Sequence, residues 1–292
     1  MVKDQALVHT PDPDGLKLQP GYEPLFLQQP GKAKGTVLMF HGYSAGPWQF
    51  RELAGRFHDA GYNVLAPRMP GHGYVGTDGL PTGVRIPRMG QPGAWDRFID
   101  QTYARAAGLG APIHAIGLSG GGNVALRMAE RHQLAGAAAM APYIGGDLPH
   151  GILFAVSDIL DHCTFGLFGR LVLDQIPYNK NVLESNDPTP HTQGSLGQAR
   201  AMRLVGNTIK KVSCPVQILT TDGDKLSGTK RVAAFLERCT SSNGWYRFGP
   251  SEQVPHAMLS PQQNLNTASV RTIHDILFNF VDQGQLAQRR TV

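Results

Sequence analysis

Ser119, His256 and the aspartates at 222 and 224 are the residues of this chain whose types and order could do chemistry together. Ser119 sits in Gly117-Leu118-Ser119-Gly120-Gly121, a G-x-S-x-G sequence. A serine hydroxyl is a poor nucleophile unless a base takes its proton, a third group orients that base, and N–H donors wait for the oxyanion. The base is read as His256, in Val254-Pro255-His256-Ala257-Met258. His274 is the other histidine that follows the aspartates, and it falls inside a helical pattern where packing or surface exposure is the better reading. The orienting acid is Asp222 or Asp224, in Asp222-Gly223-Asp224-Lys225-Leu226. Whichever does not face the base would serve as a turn residue capping its own backbone. The oxyanion donors are expected to be the backbone N–H of Gly120 and, from the loop that opens His41-Gly42-Tyr43, that of Tyr43.

Such groups work only if the chain positions them. The mostly apolar run 113–118 reads as a buried strand, and a helical pattern follows it at once, with Val124, Leu126 and Met128 among good helix formers. Strand, sharp turn, helix is the context in which G-x-S-x-G forms a nucleophile elbow. The glycines leave room around a strained serine, and the helix N-terminus behind it favours negative charge. Further strands are predicted over 36–40, 62–66, 135–140, 216–221 and 245–248, with helices over 47–60, 94–107, 229–239 and 267–283. The short apolar pieces before residue 30 suit an antiparallel sheet edge. This alternation predicts an α/β fold with a mostly parallel sheet and helices on both faces. Both aspartates and His256 then lie in loops at the carboxyl ends of strands, where sites of open α/β sheets form. Residues 143–206 break the alternation. They are predicted to be a mostly helical cap inserted into a core formed by 1–142 and 207–292. The apolar residues between 152 and 171 (Ile152, Leu153, Phe154, Phe165, Leu167, Phe168 and Leu171) would line an acyl pocket or form the buried face of a cap helix. No large exposed apolar face is evident in the sequence.

Composition narrows the classes. The 292 residues suit one α/β domain with an insertion, and a 41% hydrophobic content supports a large core. The net charge of +5 comes from scattered lysines and arginines, which favours solubility over nucleic-acid binding. No apolar stretch is long enough to span a membrane. The first fifteen residues lack an apolar signal core, so the expectation is a cytoplasmic protein, or a secreted one whose signal peptide has been removed. Cys163, Cys214 and Cys239 form no metal motif; a bridge between Cys214 and Cys239 and free thiols both remain open. The other histidines show no metal-binding spacing. His72, in Gly71-His72-Gly73, is expected to be structural, and His114 a satisfied core or inter-strand residue.

Taken together, His41-Gly42-Tyr43-Ser44, Pro70-Gly71-His72-Gly73, Gly117-Leu118-Ser119-Gly120-Gly121, Asp224 and His256 resemble the α/β-hydrolases, and among them the carboxylesterase and monoacylglycerol-lipase-like serine hydrolases. The resemblance runs from about Lys34 onward and is weakest in the cap. It favours Asp224 over Asp222 as the acid. Departures are Thr220-Thr221-Asp222 where the family has glycine before the acid loop, Pro255 in place of the usual glycine before the histidine, and the third glycine of Gly120-Gly121-Gly122. It implies hydrolysis of short- to medium-chain acyl esters or monoacylglycerols through an acyl-enzyme, with no metal or organic cofactor. The expected partner is a small or lipid-like ester, with no nucleic acid and no membrane span. A thioesterase, C–C bond hydrolase, perhydrolase or aminopeptidase of the same fold are the alternatives within enzymes, and a non-catalytic receptor the alternative outside them.

Overall fold

The computed structural model describes residues 17–75, 81–82, 86–88, 91, 93–110, 112–144, 156, 159–160, 162–164, 167–175, 195–224 and 226–288. Its strands are β1 (Leu25–Leu27), β2 (Thr36–Phe40), β3 (Asn63–Ala66), β4 (Tyr74–Val75), β5 (Pro81–Thr82), β6 (Ile113–Leu118), β7 (Gly136–Met140), β8 (Val216–Thr221) and β9 (Asn243–Phe248). Its α-helices are α1 (Arg51–Asp59), α2 (Ala94–Ala107), α3 (Gly120–Arg131), α4 (Leu167–Leu171), α5 (Leu196–Asn207), α6 (Thr229–Leu236) and α7 (Thr267–Gln283). Seven strands form one sheet in the order β1-β3-β2-β6-β7-β8-β9, and β4 pairs with β5 in a separate ribbon. Among the described strands of the large sheet only β1 runs antiparallel, as the edge expected before residue 30.

Every residue of β2, β6 and β7 is buried, which explains why those strands read as continuous apolar runs rather than alternating ones. Successive side chains feed two cores. Leu38 and Phe40 join Trp95, Phe98 and Ile99 of α2, Val124 and Met128 of α3 and Phe235 of α6. Val37 and Met39 join Leu53 and Phe57 of α1 and Ile273, Leu277 and Phe280 of α7. Burying each such side chain contributes about 1.5–3 kcal/mol. The small residues Ala137 and Ala139 let α3 approach the sheet closely: a Cβ on Gly122 would come within 3.2 Å of Ala139 Cβ.

The register brings strand ends together. Phe40 pairs with Gly117, Leu118 with Met140, Met140 with Leu219, and Thr221 with Phe248. The loops that follow β2, β6, β8 and β9 therefore open side by side on one edge of the sheet.

Some boundaries differ from the sequence reading. The helix expected over 229–239 ends at Leu236, because Cys239 makes a bridge with Val212 and Thr240 N–H donates to Val212 O at 2.9 Å. The segment expected over 47–60 begins as a 3-10 turn, Pro47–Phe50, before α1. Strand β9 starts two residues early, where Asn243 pairs with Val216. In the 143–206 segment the described residues include α4, a 3-10 turn (Leu173–Gln175) and α5, with helical residues at 156, 159–160 and 162–163. Ile152, Leu153, Phe154 and Phe165 lie outside the described residues. Leu167 and Leu171 are 52% and 68% exposed, so neither belongs to a buried helix face. They join Val156, Ile159, Leu160 and Val172 among the exposed large aliphatics, a concentration the sequence did not reveal. All three cysteines are free thiols. No described helix is long and apolar enough to cross a membrane.

Candidate active site

Ser119 occupies the turn between β6 and α3 with φ 54° and ψ −119°, a conformation that costs an L-residue about 1–3 kcal/mol. Neighbours hold it there. Its N–H donates to Met140 O at 2.8 Å, and its carbonyl accepts from Asn123 N–H at 3.2 Å and Tyr143 N–H at 3.3 Å. The flanking glycines are required by space: a Cβ on Gly117 would overlap the carbonyl of Gly121, and one on Gly121 would overlap the carbonyls of Phe40 and His41.

His256 reaches the serine from the loop after β9. Ser119 Oγ lies 2.8 Å from His256 Nε2, and His256 Nδ1 lies 2.7 Å from Asp224 Oδ2. Asp224 sits in the loop after β8, its side chain 2% exposed, while the imidazole is 24% exposed and so open to a substrate. Burial alone would raise the Asp224 carboxyl. The adjacent His256 and the N–H groups of Leu226 and Ser227 outweigh that and hold it below the ordinary carboxylate value. An ionised Asp224 only accepts, so Nδ1 carries the proton, and Nε2 is left to accept from the serine hydroxyl. Asp222 turns away. Its Oδ1 takes Arg247 Nε and Nη2 at 3.1 and 2.7 Å. Of the two aspartates left open by the residues alone, the structure brings Asp224 to the imidazole.

The loop after β2 lies beside the elbow, for a Cβ on Gly120 would come within 3.4 Å of Tyr43 Cβ. The same Cβ would meet Met202 Cγ at 2.9 Å, so α5 lays a side chain directly over Gly120. Asn123, one turn beyond Ser119, fastens α5 there. Its Nδ2 donates to Met202 O at 3.0 Å and to Tyr143 O at 2.7 Å. Neither Asn123 nor Met202 was singled out from the sequence. An asparagine in a helix and a methionine in an apolar stretch carry no signal of what they meet across the fold.

His72 is fully buried, and burial pushes its pKa down to about 4, so the ring is neutral. Its Nε2 lies 2.7 Å from Tyr43 O, which makes it a structural histidine of the loop beside the serine. His114 corrects its expectation. It is buried and pushed down to about 4, but its Nδ1 has no hydrogen-bond partner among the described residues. His274 packs in α7 with Nε2 3.2 Å from Leu259 O. Among the described residues, no group of three or more His, Cys, Asp or Glu could hold a metal ion.

A family model described as serine aminopeptidase S33, a hydrolase family, matches residues 31–251. The chain belongs to this α/β-hydrolase family. The matched stretch contains Ser119 and Asp224 but stops short of His256, whose place rests on the geometry above. The family member is esterase- and monoacylglycerol-lipase-like. It is 29% identical over 192 residues to the thermostable monoacylglycerol lipase of Bacillus sp. (strain H-257), covering 64% of this chain and 70% of that protein. Its fold resembles one of two metagenome-derived lipolytic enzymes, with a TM-score of 0.66, 17% identity, and coverage of 91% of this chain and all of that one. It also resembles a soluble variant of the Saccharomyces cerevisiae monoglyceride lipase, with a TM-score of 0.62, 18% identity, and coverage of 92% and 95%.

Proposed function

We propose that this hydrolase cleaves carboxylic esters of short- to medium-chain acids, monoacylglycerols among them, through an acyl-enzyme on Ser119. The observation that carries the reading is the pair of contacts on His256, 2.8 Å to Ser119 Oγ and 2.7 Å to Asp224 Oδ2. Ser119 Oγ attacks the ester carbonyl while His256 Nε2 takes its proton. Asp224 keeps the imidazole in the Nδ1–H tautomer and stabilises the imidazolium. The N–H groups of Gly120 and Tyr43 receive the oxyanion. His256 hands its proton to the departing alcohol, then activates water against the acyl-serine, and the acid leaves. The segment 143–206 acts as the cap, with α5 forming the roof through Met202, whose carbonyl accepts from Asn123 Nδ2 of α3. The Bacillus relative, a monoacylglycerol lipase by name, supports a glycerol monoester as substrate.

Steady-state hydrolysis of p-nitrophenyl esters from acetate to palmitate and of monoacylglycerols, beside Ser119→Ala, tests this reading. Turnover that disappears in the variant is expected, with the optimum chain length defining the acyl pocket. Folded wild-type protein that ignores every ester but cleaves amino-acid p-nitroanilides would replace it with peptidase action.

A further inference from the structure

A backbone N–H can serve an oxyanion only as well as its peptide is held and polarised. The donor placed on Tyr43 belongs to the Gly42–Tyr43 peptide, whose carbonyl is that of Gly42. His41 Nδ1 lies 2.9 Å from Gly42 O, and Ala45 N–H also donates to that oxygen, at 3.1 Å. The other ring nitrogen of His41 settles the proton. Met69 N–H donates to His41 Nε2 at 3.0 Å, so Nε2 must be unprotonated and Nδ1 must carry the hydrogen. The flanking peptides have close partners as well: Gly42 N–H donates to Gln49 Oε1 at 2.7 Å, and His72 Nε2 lies 2.7 Å from Tyr43 O. Gln49 is in turn bound through Nε2 to Gln263 Oε1 at 2.6 Å. His41 itself is fully buried.

We infer that His41 is a positioning residue for the oxyanion donor: Met69 N–H fixes its tautomer, and its Nδ1–H then orients and polarises the amide whose N–H is that of Tyr43. The inference rests on the proposed ester hydrolysis and on Tyr43 as donor. A hydrogen bond accepted at a carbonyl strengthens the donor on the other side of the same amide, and hydrogen bonds in a chain reinforce one another. The ring never touches the substrate. It acts through the peptide, and the tautomer is set from a third segment of the chain, the loop after β3 that bears Met69.

Two substitutions separate this role from simple anchoring of the Met69 loop. His41→Asn keeps an N–H near the Nδ1 position and loses the acceptor for Met69. His41→Gln keeps an acceptor near the Nε2 position and loses the donor to Gly42. On p-nitrophenyl butyrate, His41→Asn is expected to hold kcat within about fivefold. His41→Gln should lose about 10- to 100-fold in kcat with KM little changed, part of the ~10²–10³ that a whole oxyanion donor is worth. Affinity for a boronic acid, whose tetrahedral adduct fills the same hole, should fall in parallel with kcat. Equal losses, or a larger loss in His41→Asn, overturn the inference while ester hydrolysis stands. Wild-type turnover that survives in Ser119→Ala overturns the underlying reading, and the inference with it. Nitrogen-15 spectra of the histidine-labelled wild type decide the matter without a variant, should both prove unstable. A His41 proton on Nδ1 supports the inference, and one on Nε2 overturns it.

Discussion

Replacing Asp224 by asparagine should nearly abolish turnover, and the reason lies in which oxygen faces which donor. Oδ1 accepts from the N–H groups of Leu226 and Ser227, at 2.8 and 3.3 Å, while Oδ2 faces His256 Nδ1. An asparagine of the same shape must keep its oxygen toward the two backbone N–H groups. Turning it over would set an NH₂ against two donors, at about 1–3 kcal/mol for each bond lost in a buried site. The NH₂ therefore faces Nδ1, and the ring must present a lone pair there. The proton moves to Nε2, where it meets Ser119 Oγ and cannot accept from it. Holding a triad histidine in the wrong tautomer costs about 10⁴ in kcat, or roughly 5 kcal/mol of barrier at 1.36 kcal/mol per decade. Asp222→Asn makes the matched control. Its carboxylate meets Arg247 rather than the ring, at 17% and 23% side-chain exposure, so the loss should be about 1 kcal/mol or less of stability and no more than about threefold in kcat. Initial rates on p-nitrophenyl butyrate, with thermal melts to confirm folding, check both variants. An Asp224→Asn enzyme that keeps more than about a tenth of wild-type kcat, or an Asp222→Asn enzyme that falls as far, would refute the tautomer argument.

Two further outcomes follow from the packing. His72 and His114 are each pushed by burial from an ordinary value of 6.5 down to about 4, so the unfolded chain binds protons that the folded one does not. Their contribution is complete above about pH 6.5 and is lost as pH falls toward 4, by up to about 3 kcal/mol each. Urea titrations across that range should show a shallower acid limb for His114→Leu than for wild type; an unchanged slope contradicts this. At the elbow, Gly120→Ala should slow turnover because its Cβ meets Met202 Cγ at 2.9 Å, and adding Met202→Ala should restore it. Additive losses in the double variant would show that the two side chains do not contend for the same space.

The parts legible in the sequence are those whose pattern is set by local burial. Strands β2 and β6 read correctly because sheets covered on both faces make unbroken apolar runs, and α2 and α7 because one apolar stripe recurs along each helix. Ser119 was legible because its strain demands glycines at fixed offsets. The choice between Asp222 and Asp224 was not, short of the family resemblance. Gly223, at φ +85°, turns the chain between them, and one carboxylate goes to Arg247 and the other to His256. The exposure of Leu167 and Leu171 was not legible, because an apolar residue on a short helix looks the same in sequence whether a partner covers it or not.

What the sequence hides most completely is the support of the site from a distance. Strand register brings four loops to one edge, but it does not hold a serine at φ 54°. That takes Met140 O and Tyr143 N–H on the backbone of residue 119, and Asn123 ties the same helix to α5. The loop after β2 has the same character, since Gln49, His72 and, through His41, Met69 all brace three consecutive peptides. Each brace joins residues with no shared periodicity, so no pattern along the chain announces it. Each is also a buried polar contact in a low-dielectric setting, where a missing partner costs more than the bond contributed. Activity in this molecule should therefore be sensitive to substitutions that leave Ser119, Asp224 and His256 untouched. The sensitive positions are those where a carbonyl of the elbow or of the loop after β2 would lose its donor.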